Sequence, residues 1–100
     1  MNEIIKKKLL YKNNTYKFLS KKFEDEIYIY MKDDIYHAIS GFCPHFGGPL
    51  EYSSGIISCY WHGWKFCPKT YKCTNHDVNI KIKKYIVKDK GSEIIISNDN

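Results

Sequence analysis

Two short segments of this chain each set a cysteine and a histidine almost side by side. They are Cys43-Pro44-His45 and Cys59-Tyr60-Trp61-His62, with thirteen residues between His45 and Cys59. Phe46-Gly47-Gly48-Pro49-Leu50 follows the first pair and Gly63-Trp64-Lys65-Phe66 the second. The pattern asks for two soft thiolates and two imidazoles meeting at one place, which limits the folds available. Zinc accepts such a set as a tetrahedral site, but its ligand pairs are usually spaced by about two to four residues. Cys43 and His45 have one residue between them, which is tight for a single ion. A dinuclear centre removes the difficulty: the cysteines bind one metal, the histidines the other, and each loop hands one ligand to each. Cys73-Thr74-Asn75-His76 repeats the second spacing and is a rival second loop, although nothing like Gly63-Trp64 follows it. Unmetallated core residues are the plain alternative for all four side chains.

The rest of the sequence bounds the scaffold. One hundred residues make one domain, 1–100. No apolar run approaches the roughly 18 residues of a membrane span, and the start, Met1 to Leu10, lacks the apolar stretch of a signal peptide. A cytoplasmic, reducing location is therefore expected, where four cysteines suggest metal before disulfide. The formal charge is +5, and all 16 basic residues are Lys. Without the Arg fork, nucleic-acid readout is not expected. A Lys surface that docks an acidic protein fits better. The Lys6-Lys7-Lys8 and Lys81 to Lys84 runs read as solvated faces.

Short alternating or β-branched runs dominate: Tyr16–Leu19, Glu26–Met31, Ile35–Ser40, Gly55–Cys59, Lys65–Cys67, Val78–Ile82 and Glu93–Ser97. Turn residues lie between them at Asn13-Asn14, Asp33-Asp34, Ser53-Ser54-Gly55, Lys69-Thr70 and Lys90-Gly91. Ile27–Tyr30 with Ile35–Ile39 reads as a hairpin, and Val87 to Ile94 as another. No stretch carries a 3.6-residue apolar period. The fold class expected is all-β, a small antiparallel sandwich or barrel. The segment Phe42 to Asn75 stands apart, holding all three prolines, all four cysteines and both tryptophans.

Cys43-x-His45 … Cys59-x-x-His62-Gly63-Trp64 resembles the Rieske [2Fe–2S] motif, in which two histidines replace two cysteines on one iron. The approach Tyr36 to Leu50, the segment Trp61 to Phe66 and the closing Lys84–Lys88 … Glu93–Ser97 are similar to that family too. The resemblance implies the Rieske fold with a two-loop cluster-binding subdomain inserted at about 41–76. It implies one [2Fe–2S] cluster on Cys43, His45, Cys59 and His62, sulfurs deeper and imidazole edges near the tip. Gly47, Gly48 and Gly63 would let backbone N–H groups approach the sulfides. There are departures. The spacer of thirteen is short, so the connecting hairpin should be trimmed. Tyr60 stands where Pro is common and Tyr71 where Gly is common. No proline follows Pro68 to build a proline-containing third loop.

The implied function is a stand-alone one-electron carrier, taking electrons from a flavin-dependent reductase and passing them to a terminal oxygenase, with no membrane partner. High-potential members carry hydroxyl donors where Trp64 and Phe66 stand here, and a disulfide where Gly48 and Trp61 stand. The low end of the Rieske span, about −150 to +300 mV, is therefore expected. No catalytic residues are expected, since no facial triad is visible once His45 and His62 are assigned. The alternatives are a small Rieske subunit of a larger reductase complex, or a zinc-binding interaction module on the same two Cys and two His. Trp61 and Trp64 read as packing residues, Cys67 and Cys73 as free thiols, and His37 as a partly exposed strand residue.

Overall fold

The computed structural model describes residues 2–10 and 14–99. Among the described residues nine strands form: β1 Asn2–Lys6, β2 Tyr16–Ser20, β3 Asp25–Lys32, β4 Ile35–Ser40, β5 Leu50–Ser53, β6 Ile56–Cys59, β7 Lys65–Phe66, β8 Lys84–Asp89 and β9 Glu93–Asn98. The only helical element among the described residues is a 3₁₀ turn, Lys7–Leu10. Six strands make one antiparallel sheet in the order β1-β9-β8-β4-β3-β2, and β5-β6-β7 make a second. The larger sheet curls into a nearly closed barrel. Lys22 reaches across from the turn between β2 and β3 and donates to the Asn2 carbonyl on β1. The all-β expectation and the inserted subdomain are both present.

Strand β3 shows how the two parts are joined. Ile27, Tyr28, Ile29 and Tyr30 are all buried, so this strand is covered on both faces. Successive side chains point to opposite faces of a sheet. Ile27 and Ile29 enter the barrel core with Ile5, Leu10, Phe23, Ala38, Tyr85, Ile94 and Ile96. Tyr28 and Tyr30 enter a second core with Leu50, Ile57, Trp64, Phe66, Ile82, Cys43 and Cys59. Strand β4 repeats the division, Ala38 going to the barrel and Ile39 to the second core. The cysteines are thus built into an apolar layer that a barrel strand supports from below.

Buried hydroxyls in this layer are satisfied. Tyr30 donates to the Pro68 carbonyl at 2.7 Å. The Tyr28 hydroxyl lies 3.2 Å from Glu51 and accepts from the Tyr52 amide at 2.9 Å. Burial pushes the Tyr28 hydroxyl up to about 12.

The hairpin turns follow their sequence signatures. Asp33 and Asp34 both have positive φ, as do Ser54 and Gly55, the pattern of two-residue type I′ turns. The second turn joins β5 to β6, four residues each, which is the trimmed connection expected between the two Cys/His loops. Several strand boundaries differ from expectation. β1 and β5 were not expected from their sequences, and Gly55 belongs to the turn before β6. Val78–Ile82 is not a strand. Its backbone is pinned only at intervals, Cys73 N donating to Ile80 O and Ile82 N to Tyr71 O, without the continuous partner a ladder needs. Asn14 has the expected positive φ, while Asn13 lies outside the described residues.

Candidate metal centre

The two Cys/His segments lie side by side and share one backbone design. In the first, Cys43 N donates to Gly48 O at 2.7 Å and Gly47 N to Cys43 O at 2.8 Å. In the second, Cys59 N donates to Trp64 O at 2.8 Å and Gly63 N to Cys59 O at 3.1 Å. The fifth residue of each loop is a glycine in the left-handed region, Gly47 at φ 76° and Gly63 at φ 68°. The hairpin of β5 and β6 pairs Leu50 with Cys59 and so sets the loops together.

Their ligand-type side chains meet in two pairs. Cys43 and Cys59 are buried, 3% exposed each, and share one apolar core. Burial pushes the Cys43 thiol up, and the neighbouring Cys59 sulfur adds to this. The amides of His45 and Phe46 oppose it by donating to the Cys43 sulfur, the first at 3.4 Å. The His45 and His62 rings stand 5.6 Å apart at 77°. Among the described residues, no three His, Cys, Asp or Glu side chains are placed to hold a single metal ion.

Gly48 makes the approach of the loops possible. A Cβ built there would lie 2.9 Å from Cys59 Sγ and 2.9 Å from Trp61 ring atoms. A side chain cannot be added without moving a sulfur of the site. This cradle and the amides aimed at Cys43 suit a bridged metal–sulfur group, whose sulfurs accept backbone hydrogen bonds.

The two imidazoles are not equivalent. His62 is exposed. His45 is half-buried, with Phe46 at 4.0 Å on one side and Trp64 stacked at 3.8 Å and 13° on the other. The tip around them is aromatic and exposed: Phe46, Tyr60 and Trp61. Trp64 is buried and packs the site as its sequence context suggested, whereas Trp61, expected to pack as well, leaves its ring largely exposed because it stands on the outer side of the loop.

The segment after β7 supports the second loop. Cys67 and Cys73 are free thiols. Hydrogen bonds from Thr70 and the Lys69 backbone pull the Cys67 thiol down. Tyr71, standing where the Rieske resemblance places glycine, adopts the glycine conformation at φ 67°. Its hydroxyl bonds His37 Nδ1 at 2.7 Å, and His37 stacks on Tyr30. Cys73 does not join the other cysteines; it bridges Phe66 beside β7. His76 also stacks on Trp64. Sequence reasoning passed over Asn75, which bonds the second loop; the one signal was its place inside the repeated Cys-x-x-His spacing.

Comparison with known proteins agrees with this geometry. The family model described as the Rieske [2Fe–2S] domain matches residues 4–86. A search of curated proteins finds no sequence match. Among solved structures, the chain is similar to the ferredoxin of carbazole 1,9a-dioxygenase from Nocardioides aromaticivorans IC177, with TM-score 0.75, 22% identity and 99% of each chain covered. It is also similar to the plasma membrane Rieske protein PetC3 of Synechocystis PCC 6803, with TM-score 0.74, 18% identity, and 93% and 95% covered. Against the terminal oxygenase of carbazole 1,9a-dioxygenase from Novosphingobium sp. KA1, the TM-score is 0.73 at 18% identity. There 99% of this chain spans 30% of the oxygenase.

Proposed function

Since the chain belongs to the Rieske [2Fe–2S] domain family, we propose that it carries single electrons through one [2Fe–2S] cluster held by Cys43, Cys59, His45 and His62. The observation that carries this reading is the pairing of the donors, two buried sulfurs beside two imidazoles. A tetrahedral zinc module on the same four side chains is the alternative, and the one-residue spacing of Cys43 and His45 is tight for a single ion. When bound, the cluster supplies a one-electron couple whose potential is raised by neutral imidazoles in place of two thiolates.

The chain's own residues support the rest of this reading. Amides of His45 and Phe46 donate to the Cys43 sulfur and stabilise its thiolate. Trp64 and Phe66 offer no hydroxyl to a sulfur, so the potential lies at the low end of the Rieske span. His62, exposed at the tip among Phe46, Tyr60 and Trp61, is the electron exit. Residues 1–100 act as one domain of this kind. The acceptor in this reading is a terminal oxygenase, supported by likeness to the structure of a complex of oxygenase and ferredoxin in carbazole 1,9a-dioxygenase; the donor we propose is a reductase.

Anaerobically purified protein should contain two iron atoms and two acid-labile sulfides per chain, and when reduced should give an EPR spectrum of low average g. Colourless protein with no iron would overturn the reading. A midpoint above about +100 mV would overturn the low-potential placement alone.

A further inference from the structure

We infer that Thr74-Asn75-His76 is a third loop of the metal centre, which fixes the second loop and, through Trp64, orients the His45 imidazole. The inference rests on the Rieske reading and assigns positioning residues to it. No proline follows Pro68, and this segment lies against the second loop instead.

The backbone is held first. Thr74 N donates to Lys65 O at 2.8 Å, and the Thr74 hydroxyl donates to the same carbonyl at 3.3 Å. Asn75 then uses both ends of its amide. Its Oδ1 accepts from Lys65 N at 2.9 Å, and its Nδ2 donates to Gly63 O at 2.9 Å. Only one orientation of the amide satisfies an N–H and a carbonyl in this way, so the geometry fixes the side chain. The two anchored groups lie on either side of Trp64. Asn75 therefore determines where the indole leaves the chain.

The ring is held next. His76 stacks on Trp64 with centroids 4.4 Å apart and planes at 26°. Trp64 stacks in turn on His45 at 3.8 Å and 13°. Asn75 and His76 are exposed, yet Trp64 beneath them is 8% exposed. The segment thus keeps water from the indole that sets the plane of a ligand-type imidazole. Ring orientation and dryness around a metal's ligands tune its properties. An ordinary solvated loop would have no such effect.

The test uses the full-length, cluster-loaded protein and four variants: Asn75→Ala, Asn75→Asp, His76→Ala and His76→Phe. Hydrogen exchange by mass spectrometry compares the 60–66 and 43–48 segments. EPR and redox titration read the centre. Asn75→Ala should speed exchange in 60–66 about tenfold and leave 43–48 unchanged. Asn75→Asp keeps the acceptor for Lys65 N and loses the donor to Gly63 O, so it should fall between; it also serves if the alanine variant does not fold. His76→Ala should shift the g values and the midpoint potential, and His76→Phe, which keeps a ring on Trp64, should restore them. The inference is overturned if exchange in 60–66 stays at the wild-type rate in the Asn75 variants. It is equally overturned if His76→Ala leaves spectrum and potential unchanged. Wild-type protein that assembles no iron–sulfide group sinks the Rieske reading itself; wild type that assembles it while the variants behave alike sinks only the third loop.

Discussion

The two Cys/His loops have one backbone and different sixth residues. Each closes with the same pair of hydrogen bonds around a left-handed glycine, Gly47 in one and Gly63 in the other. At the sixth position the first loop has Gly48 and the second Trp64. Gly48 leaves room for Cys59 Sγ and the Trp61 ring, which come from the second loop. Trp64 lies flat on His45, which comes from the first. Each loop's sixth residue therefore serves the other loop's donor, one by being absent and one by being large. Two loops that seem repeated are complementary halves, and neither builds the site alone.

The largest expected effect follows from that exchange. Gly48→Ala puts a Cβ against a sulfur and the base of an indole, so the loops must separate. Iron and acid-labile sulfide in the purified variant should fall to near zero, while the circular dichroism of the barrel survives. A fully loaded Gly48→Ala protein would show that the loops do not depend on this close approach. Trp64→Ala comes next, at about 3–5 kcal/mol, typical for removing a large buried aromatic. Trp61→Ala, at an exposed indole, should cost less than about 1 kcal/mol. Urea unfolding midpoints distinguish them, and equal losses would break the assignment of Trp64 to packing and Trp61 to surface.

The parts of the two loops were legible in the sequence, but their exchange was not. The donors and glycines lie within a few residues of one another, and local spacing carries them. The hairpin at Asp33-Asp34 and the turn at Ser53-Ser54-Gly55 were legible too, since turns with positive φ have strong residue preferences. Strand β1 was not legible: Asn2–Lys6 becomes a strand because β9 offers Glu93–Ser97 as a partner, and that pairing is made across the whole chain. Val78–Ile82 failed in the opposite way, a good β-branched run with no partner strand to complete it. Asn75 was invisible for a related reason. Its role is two hydrogen bonds to residues ten and twelve positions away, and no local pattern encodes them. The unequal surroundings of His45 and His62 likewise depend on which rings the fold brings near.

A smaller effect sharpens the shared backbone. Gly47→Ala and Gly63→Ala meet no atom within 4 Å, so their cost is purely conformational. A left-handed non-glycine residue costs roughly 1–2 kcal/mol. The two variants should lose that amount equally, within about 0.5 kcal/mol, by chemical denaturation. A clear difference would mean that one turn is not the glycine-dependent copy of the other.

The smallest effect is a pH dependence that belongs to the second loop's side of the site. His37 on β4 bonds the Tyr71 hydroxyl and stacks on Tyr30, whose own hydroxyl holds Pro68. These contacts anchor the turn that follows the second loop, and the first loop has no histidine beneath it. Burial holds His37 below the ordinary histidine value, only partly offset by a backbone hydrogen bond at Lys32 and by the Asp33 carboxylate. The fold therefore prefers neutral His37 more than the unfolded chain does. Its contribution is complete above the unfolded value, about 6.5, and is lost as pH falls through the lower folded value. Melting temperature should drop between pH 7 and pH 5, and part of that slope should vanish in His37→Phe, which keeps a ring against Tyr30 but cannot take a proton. Parallel slopes for wild type and variant would show that His37 does not link protonation to the anchoring of this turn.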